Sequence, residues 1–294
     1  MVAGRRGDAH LKNGKQLKIL ALPAFVWLGA LFVLPMLMIT ALSFMKRGTY
    51  GQIVYEFTLN NYARMIDPLY IQIFFDTFLV AVLTTAISLV CAYPMAYYIS
   101  RMDRSAQKIW LLLVMIPFWI NFLVRSYAWV IILRSQGVIN TFLLSTGLIQ
   151  EPLPLLYNFG SVMVGMVYTL LPFMVLPIYV SLEQLDRRKL EAAYDLGATP
   201  WKTFWHVTLP LTKSGVITGS ILVFVSSIGM FVVPDVMGGA KSALMGNVIQ
   251  NQFLSARDWP FGSALSIVLM LLSMVLIYLY YRAVNAAEAK EGTA

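Results

Sequence analysis

Six long stretches without a charged residue restrict this chain more than any other feature: 19–45, 77–100, 109–124, 161–182, 214–234 and 259–281. About 20 consecutive apolar residues let a helix cross a ~30 Å hydrocarbon core, where every backbone polar group must be satisfied within the segment. The stretches predict spans over about 19–44, 73–99, 109–133, 161–182, 214–235 and 261–283. The composition agrees, with 59% of the 294 residues hydrophobic and 12% charged. A typical soluble domain carries about 25% charged residues, so a soluble enzyme is excluded by its missing polar skin. Disorder needs the opposite balance of charge and hydrophobicity. The predicted fold class is an all-α integral membrane protein with six transmembrane helices.

Residues 1–18 form a polar, basic N-terminus, 19–284 the six-helix domain and 285–294 a short tail. The first apolar run exceeds the roughly 7–15 residues of a cleaved signal peptide, so it reads as an uncleaved span that Pro35 kinks. With the N-terminus inside, fifteen of the 22 Lys and Arg fall on the inner side and seven on the outer. That asymmetry places both termini in the cytoplasm. It also accounts for the net charge of +8 without nucleic acid, for which no groove-reading element exists. The single cysteine, Cys91, precludes an internal disulfide or a cysteine metal cluster, and His10 and His206 are too few for a histidine site.

Two loops are more than linkers. Residues 134–160 are too apolar for a solvated loop and too broken by Gly and Pro to span, which predicts an interfacial helix over about 138–148. The inner loop 183–213 reads as two short helices. Asp186 caps the first, which runs to Leu196 with Gly197 beyond its end. Thr199 caps the second, Pro200 takes its first position, and Leu209-Pro210 closes the unit. Leu190, Ala193 and Leu196 share one face, and Trp201, Phe204 and Trp205 form an aromatic face. Such a hairpin either lies on lipid or docks on a protein.

The spacing favours docking. Glu191-Ala192-Ala193, Gly197 three residues on, then Val207, Leu209 and Pro210 follow the pattern EAA-x3-G-x9-[I/V]-x-L-P. This resembles the signature loop of permease subunits of bacterial binding-protein-dependent ABC importers, in the expected place before the penultimate span. The resemblance implies the type I importer permease arrangement and a coupling helix seated on a cytoplasmic ABC ATPase dimer. Glu191, Ala192, Ala193 and Gly197 would be its core and Asp195, Gly197, Ala198 and Thr199 its tip. It further implies a second permease subunit of a different chain, a periplasmic substrate-binding protein and a place in the bacterial inner membrane.

No catalytic residue is predicted. The chain has no phosphate-binding G-x-x-x-x-G-K-[ST] loop, since Ala9 and Gln16 flank Gly14-Lys15 where Gly and Ser/Thr belong. The expected cofactor list is therefore empty, with ATP bound by the partner. The segments 60–70, 117–129, 137–144, 170–186 and 237–264 resemble the B-type permease of spermidine/putrescine importers. Iron and thiamine permeases share parts of this architecture and stand as alternatives. An ion-driven carrier is a further one, although no internal repeat is evident. A polycation path calls for acidic and aromatic groups, and Asp76, Trp119, Phe122, Tyr127, Tyr168, Phe231 and Asp235 are the candidates. Both aspartates could equally cap helices, Asp76 by opening the second span. Arg125 lies about 24 Å along the third span, where snorkelling to headgroups or pairing is expected.

Overall fold

The structure is a computed structural model that describes residues 13–239 and 243–291. The basic segment 1–12, Lys241 and the last three residues of the tail lie outside them. The first span is α1 (Asn13–Ser43), a helix running unbroken through Pro23 and Pro35. A short antiparallel ribbon, β1 (Lys46–Arg47) with β2 (Ile53–Val54), and α2 (Asn60–Arg64) follow. The second span is α3 (Pro68–Ser100), which starts earlier than its charge-free run because Asp67 caps it and Pro68 takes the first position. Asp76 therefore sits more than two turns inside a helix, so of its two sequence readings the helix-opening one does not hold.

The third span is broken. Helix α4 (Arg104–Trp119) ends at an extended Ile120, and α5 (Phe122–Leu133) restarts with the Asn121 carboxamide accepting the Leu123 amide at 2.9 Å. Pro117 has no N–H and weakens the last turn of α4, while asparagine prefers a cap to a helix interior. Helix α6 (Val138–Ser145) forms over most of the segment expected as an interfacial helix. However, α5 and α6 together, Phe122–Ser145, are the run in this region that is long and apolar enough to cross a membrane, so the expected third span over 109–133 is not reproduced. Buried Asn140 fastens it, donating to the Arg134 and Leu153 carbonyls and accepting from the Leu153 amide. The fourth span is α7 (Phe159–Glu183), opened by a reciprocal Asn158–Ser161 capping box.

The inner hairpin comprises α8 (Arg187–Asp195) and α9 (Pro200–Leu211), and α9 bends by 64° into α10 (Lys213–Ile228). The fifth span also departs from the sequence reading. It stops at Ile228, and Gly229–Phe231 turn the chain into α11 (Val232–Met237). Pro234 has no N–H for the Met230 carbonyl, so one continuous helix to 235 is not available. That turn receives α12 (Met245–Leu254): a Cβ on Gly246 would lie 3.0 Å from the Met230 carbonyl oxygen. The last span is α13 (Trp259–Glu291).

Among the described residues five helical runs are long and apolar enough to cross a membrane, and six when the bent α9–α10 pair counts as one. Helices α3, α7 and α10 form the central bundle, burying Ala92, Ala96, Ile99, Leu170, Met174, Ile178 and Val223. Close approach depends on Gly215 and Gly219, one turn apart on α10. A Cβ on Gly215 would meet the Pro177 carbonyl oxygen and one on Gly219 would meet Met174. This small-xxx-small stripe is a common device of membrane helices. A second cluster joins α13 to the outer half of the bundle through Phe261, Leu265, Ala81 and Ile228.

The outer ends are stapled by charge. The Asp258 carboxylate is 1% exposed, accepts from Arg64 at 2.8 Å and lies 3.9 Å from Arg47. The Arg64 guanidinium also stacks 4.0 Å over the Phe261 ring.

Candidate functional site

The inner hairpin is built by local rules. The Asp186 carboxylate accepts the Arg188 amide and starts α8. At its other end Gly197 adopts φ +80°, with its N–H on the Tyr194 carbonyl and the Ala198 N–H on the Ala193 carbonyl. That pair of bonds is the Schellman arrangement, which needs a left-handed residue and selects glycine. No atom lies within 4 Å of where a Gly197 side chain would begin, so its requirement is conformational and not steric. The Thr199 hydroxyl then accepts the Lys202 amide and starts α9.

This turn leaves Glu191, Ala192, Asp195, Leu196, Gly197 and Thr199 exposed and Ala193 and Ala198 half-buried. Leu196 is 89% exposed, so it stands off the α8 face on which it was expected and caps the helix at the tip. Glu191 lines a polar groove of about 870 Å³ against the α3–α4 turn, together with Tyr97, Arg101, Arg104, Glu183 and Tyr194.

Leu209-Pro210 does not close the unit. Residues Phe204–Thr208 form a wide π turn, and the helix continues to Leu211 before bending at Thr212. Pro210 offers no N–H to the His206 carbonyl, and a π turn is one way to absorb that gap. The aromatic face is divided as well. Phe204 turns inward to make edge contacts with Tyr93 and Tyr97 of α3 at 5.5 and 5.8 Å, whereas Trp201 and Trp205 remain exposed. The Tyr93 hydroxyl and the Thr212 hydroxyl share a 2.8 Å hydrogen bond at the bend. An exposed tip thus stands on a base keyed into the central bundle.

The path candidates are dispersed. Trp119 ends α4 and is exposed, Tyr127 lies exposed on α5, and Tyr168 of α7 packs edge-on to Trp129 at 5.4 Å. Phe231 precedes α11 and Asp235 lies exposed on it, while Asp76 is half-buried on α3. No side-chain hydrogen bond or ring contact links any two of Asp76, Trp119, Tyr127, Tyr168, Phe231 and Asp235 among the described residues. Their helices do meet, since α11 packs on both α5 and α7. Arg125 neither snorkels nor pairs. It is 8% exposed beside the Phe118 and Phe122 rings, and its Nε and Nη1 have no acceptor among the described residues. The break at Ile120–Asn121 redirects α5, so depth counted along one continuous helix misplaces this side chain.

Residues 85–290 match the family of binding-protein-dependent transport system inner membrane components. The chain belongs to that family. It is 41% identical over 281 residues to the spermidine/putrescine transport system permease protein PotB of Salmonella typhimurium (strain SL1344), covering 95% of this chain and 98% of the relative. It is 43% identical over 264 residues to PotB of Escherichia coli (strain K12), covering 90% and 96%. In fold it matches a chain of a bacterial alginate ABC transporter solved in complex with an alginate pentasaccharide-bound periplasmic protein. The TM-score there is 0.70 at 17% identity, over 92% of this chain and 93% of that one. The molecule is thus a multi-pass inner-membrane transport permease with the type I permease fold, and not an ion-driven carrier.

Sequence reading passed over three things. The Gly215/Gly219 stripe was visible in the string GVITG. The inward role of Phe204 had no signal separate from its tryptophan neighbours. The Arg64–Asp258 pair joins residues 194 positions apart, which no periodicity reveals.

Proposed function

We propose that this chain is the translocating permease subunit of an ATP-driven polyamine importer, with spermidine and putrescine as substrates. It has no ATPase site and no cofactor of its own. ATP is hydrolysed by a cytoplasmic ABC ATPase dimer, which holds the α8–α9 hairpin through Glu191, Ala192, Ala193, Asp195, Gly197, Ala198 and Thr199, with Leu209 and Pro210 at its base. A second permease of a different chain completes the pore, and a periplasmic binding protein delivers substrate at the outer mouth.

The observation that carries the coupling part is the exposed, Schellman-capped tip on a base keyed into α3 by Phe204. Small residues at 192 and 193 allow a partner to approach closely, and the keyed base lets movement of the tip reach the bundle. The likeness to permeases described as transporting spermidine and putrescine supports the substrate. A polycation path through Asp76, Trp119, Tyr127, Tyr168, Phe231 and Asp235 is compatible with it, since carboxylates and aromatic faces both attract ammonium groups.

The test is radiolabelled uptake in cells carrying the complete importer and lacking other polyamine uptake. Spermidine and putrescine are expected to enter, and Gly197→Val is expected to abolish entry while the complex stays in the membrane. A wild-type importer that moves neither polyamine overturns the substrate. Normal uptake by Gly197→Val overturns the coupling role.

A further inference from the structure

A cleft of about 320 Å³ opens between α11 and α12, lined by Asp235, Asn247, Gln250, Asn251 and Ser255 with Val248 beside them. Its frame is fixed. The Asn247 carboxamide accepts the Leu244 amide and donates to the Phe231 carbonyl at 2.8 Å, tying the start of α12 to the entrance of α11. The Met245 amide donates to the Thr77 hydroxyl of α3 at 2.9 Å, anchoring the same end to the second span. Asn247 is committed to the frame through one of its two N–H groups and its carbonyl oxygen. The side chains of Asp235, Gln250, Asn251 and Ser255 make no hydrogen bond or ion pair within the described chain.

That leaves one carboxylate, two carboxamide oxygens and a hydroxyl converging on a cleft whose described lining holds no cationic side chain. An alkylammonium group has three N–H donors and one positive charge, so it matches this set of acceptors. Hydrogen bonds to charged groups are the strong class. Val248 and Leu254, also on the lining, offer methylene-compatible walls. A few fixed polar groups among apolar ones is the usual make-up of a small-molecule site.

We propose that Asp235, Gln250, Asn251 and Ser255 form an alkylammonium subsite at the outer mouth, which receives one terminal amine of the substrate before it enters the membrane. This deepens the polyamine reading and rests on it. A subsite at the mouth holds one end of an extended polycation while the remainder is still leaving the binding protein.

The experiment uses the complete importer, in nanodiscs for thiol modification and in proteoliposomes for uptake. Ser255→Cys in a Cys91→Ala background is modified with methanethiosulfonate reagents of similar size carrying either ammonium or sulfonate. The ammonium reagent is expected to react about tenfold faster, and Asp235→Asn is expected to bring the two rates together. Saturating putrescine is expected to slow modification of Ser255→Cys. Gln250→Leu combined with Asn251→Leu, which keeps the carboxylate, is expected to cut putrescine uptake about tenfold, with the affinity of the binding protein unchanged. Equal rates for the two reagents overturn the subsite whatever substrate is moved. So does an importer that transports polyamines but whose Ser255→Cys thiol putrescine does not protect. An importer that moves no polyamine overturns the function proposed above, and is distinguished because the reagent-charge ratio is read without transport.

Discussion

Gly215→Ala is the smallest change that tests whether α7 and α10 pack directly against each other in the central bundle. An added Cβ would lie 2.5 Å from both the Pro177 carbonyl oxygen and the Ser181 Oγ. Ser181 can rotate, but the carbonyl belongs to the α7 backbone, so α7 and α10 must separate by about half an ångström or more, with overpacking of this kind costing about 1–3 kcal/mol. Alanine returns about 0.5–1 kcal/mol of helix preference relative to glycine. The expected net loss is about 1 kcal/mol, within the roughly 0–2.5 kcal/mol that the two ranges leave, or about a fivefold fall in the folded-to-unfolded ratio. Gly29→Ala is the control, since nothing lies within 4 Å of its Cβ position and only the helix preference applies. Both variants are to be unfolded reversibly by SDS in mixed micelles and followed by tryptophan fluorescence. Gly29→Ala should match or exceed the parent while Gly215→Ala falls below it. A Gly215→Ala chain as stable as Gly29→Ala would refute the reasoning, because it would mean that α7 and α10 do not touch at this point.

Three further outcomes follow from the geometry. Gly197→Asn should retain most uptake while Gly197→Val loses it, because φ +80° with open space around it excludes β-branched residues but tolerates asparagine; equal uptake by the two would refute the conformational reading. Thermal stability in detergent should fall in the order wild type, Asp258→Asn, Asp258→Ala, the last by about 2–4 kcal/mol, because alanine removes both the Arg64 pair and the acceptor of the Phe261 amide. Arg125→Met should leave the isolated chain as resistant to SDS as the parent or more so, since it exchanges a buried guanidinium whose Nε and Nη1 have no acceptor among the described residues for an apolar side chain of similar length; a marked loss of resistance would show that the guanidinium has a partner.

The spans were legible because the bilayer imposes a length and a composition that few other structures share. Asp186, Thr199 and Gly197 were legible for a different reason: caps act over three or four residues, so their signal stays within the string that forms them. The breaks after Ile120 and Ile228 were harder to read. In an apolar run a proline interrupts one helix and is absorbed by another, as Pro23, Pro35 and Pro94 are here, and only tertiary packing decides which. Asp235 and α12 show the same limit. The carboxylate reads from sequence as functional or capping, but the amides facing it come from a separate helix within the outer segment 236–260, and only packing brings the two together. Arg125 was misplaced because a depth counted in residues assumes one straight axis.

The 64° bend at Thr212 has a mechanical consequence. A displacement along α9 projects onto the axis of α10 by less than half, so most of it arrives at the span as a sideways thrust. Phe204 and the Tyr93–Thr212 hydrogen bond deliver that thrust to α3 at the same level. If a partner pushes the tip as proposed, the hairpin would act as a crank and not a piston: a short push would swing the inner ends of two spans together, and the excursion along those spans would be set by where they pivot.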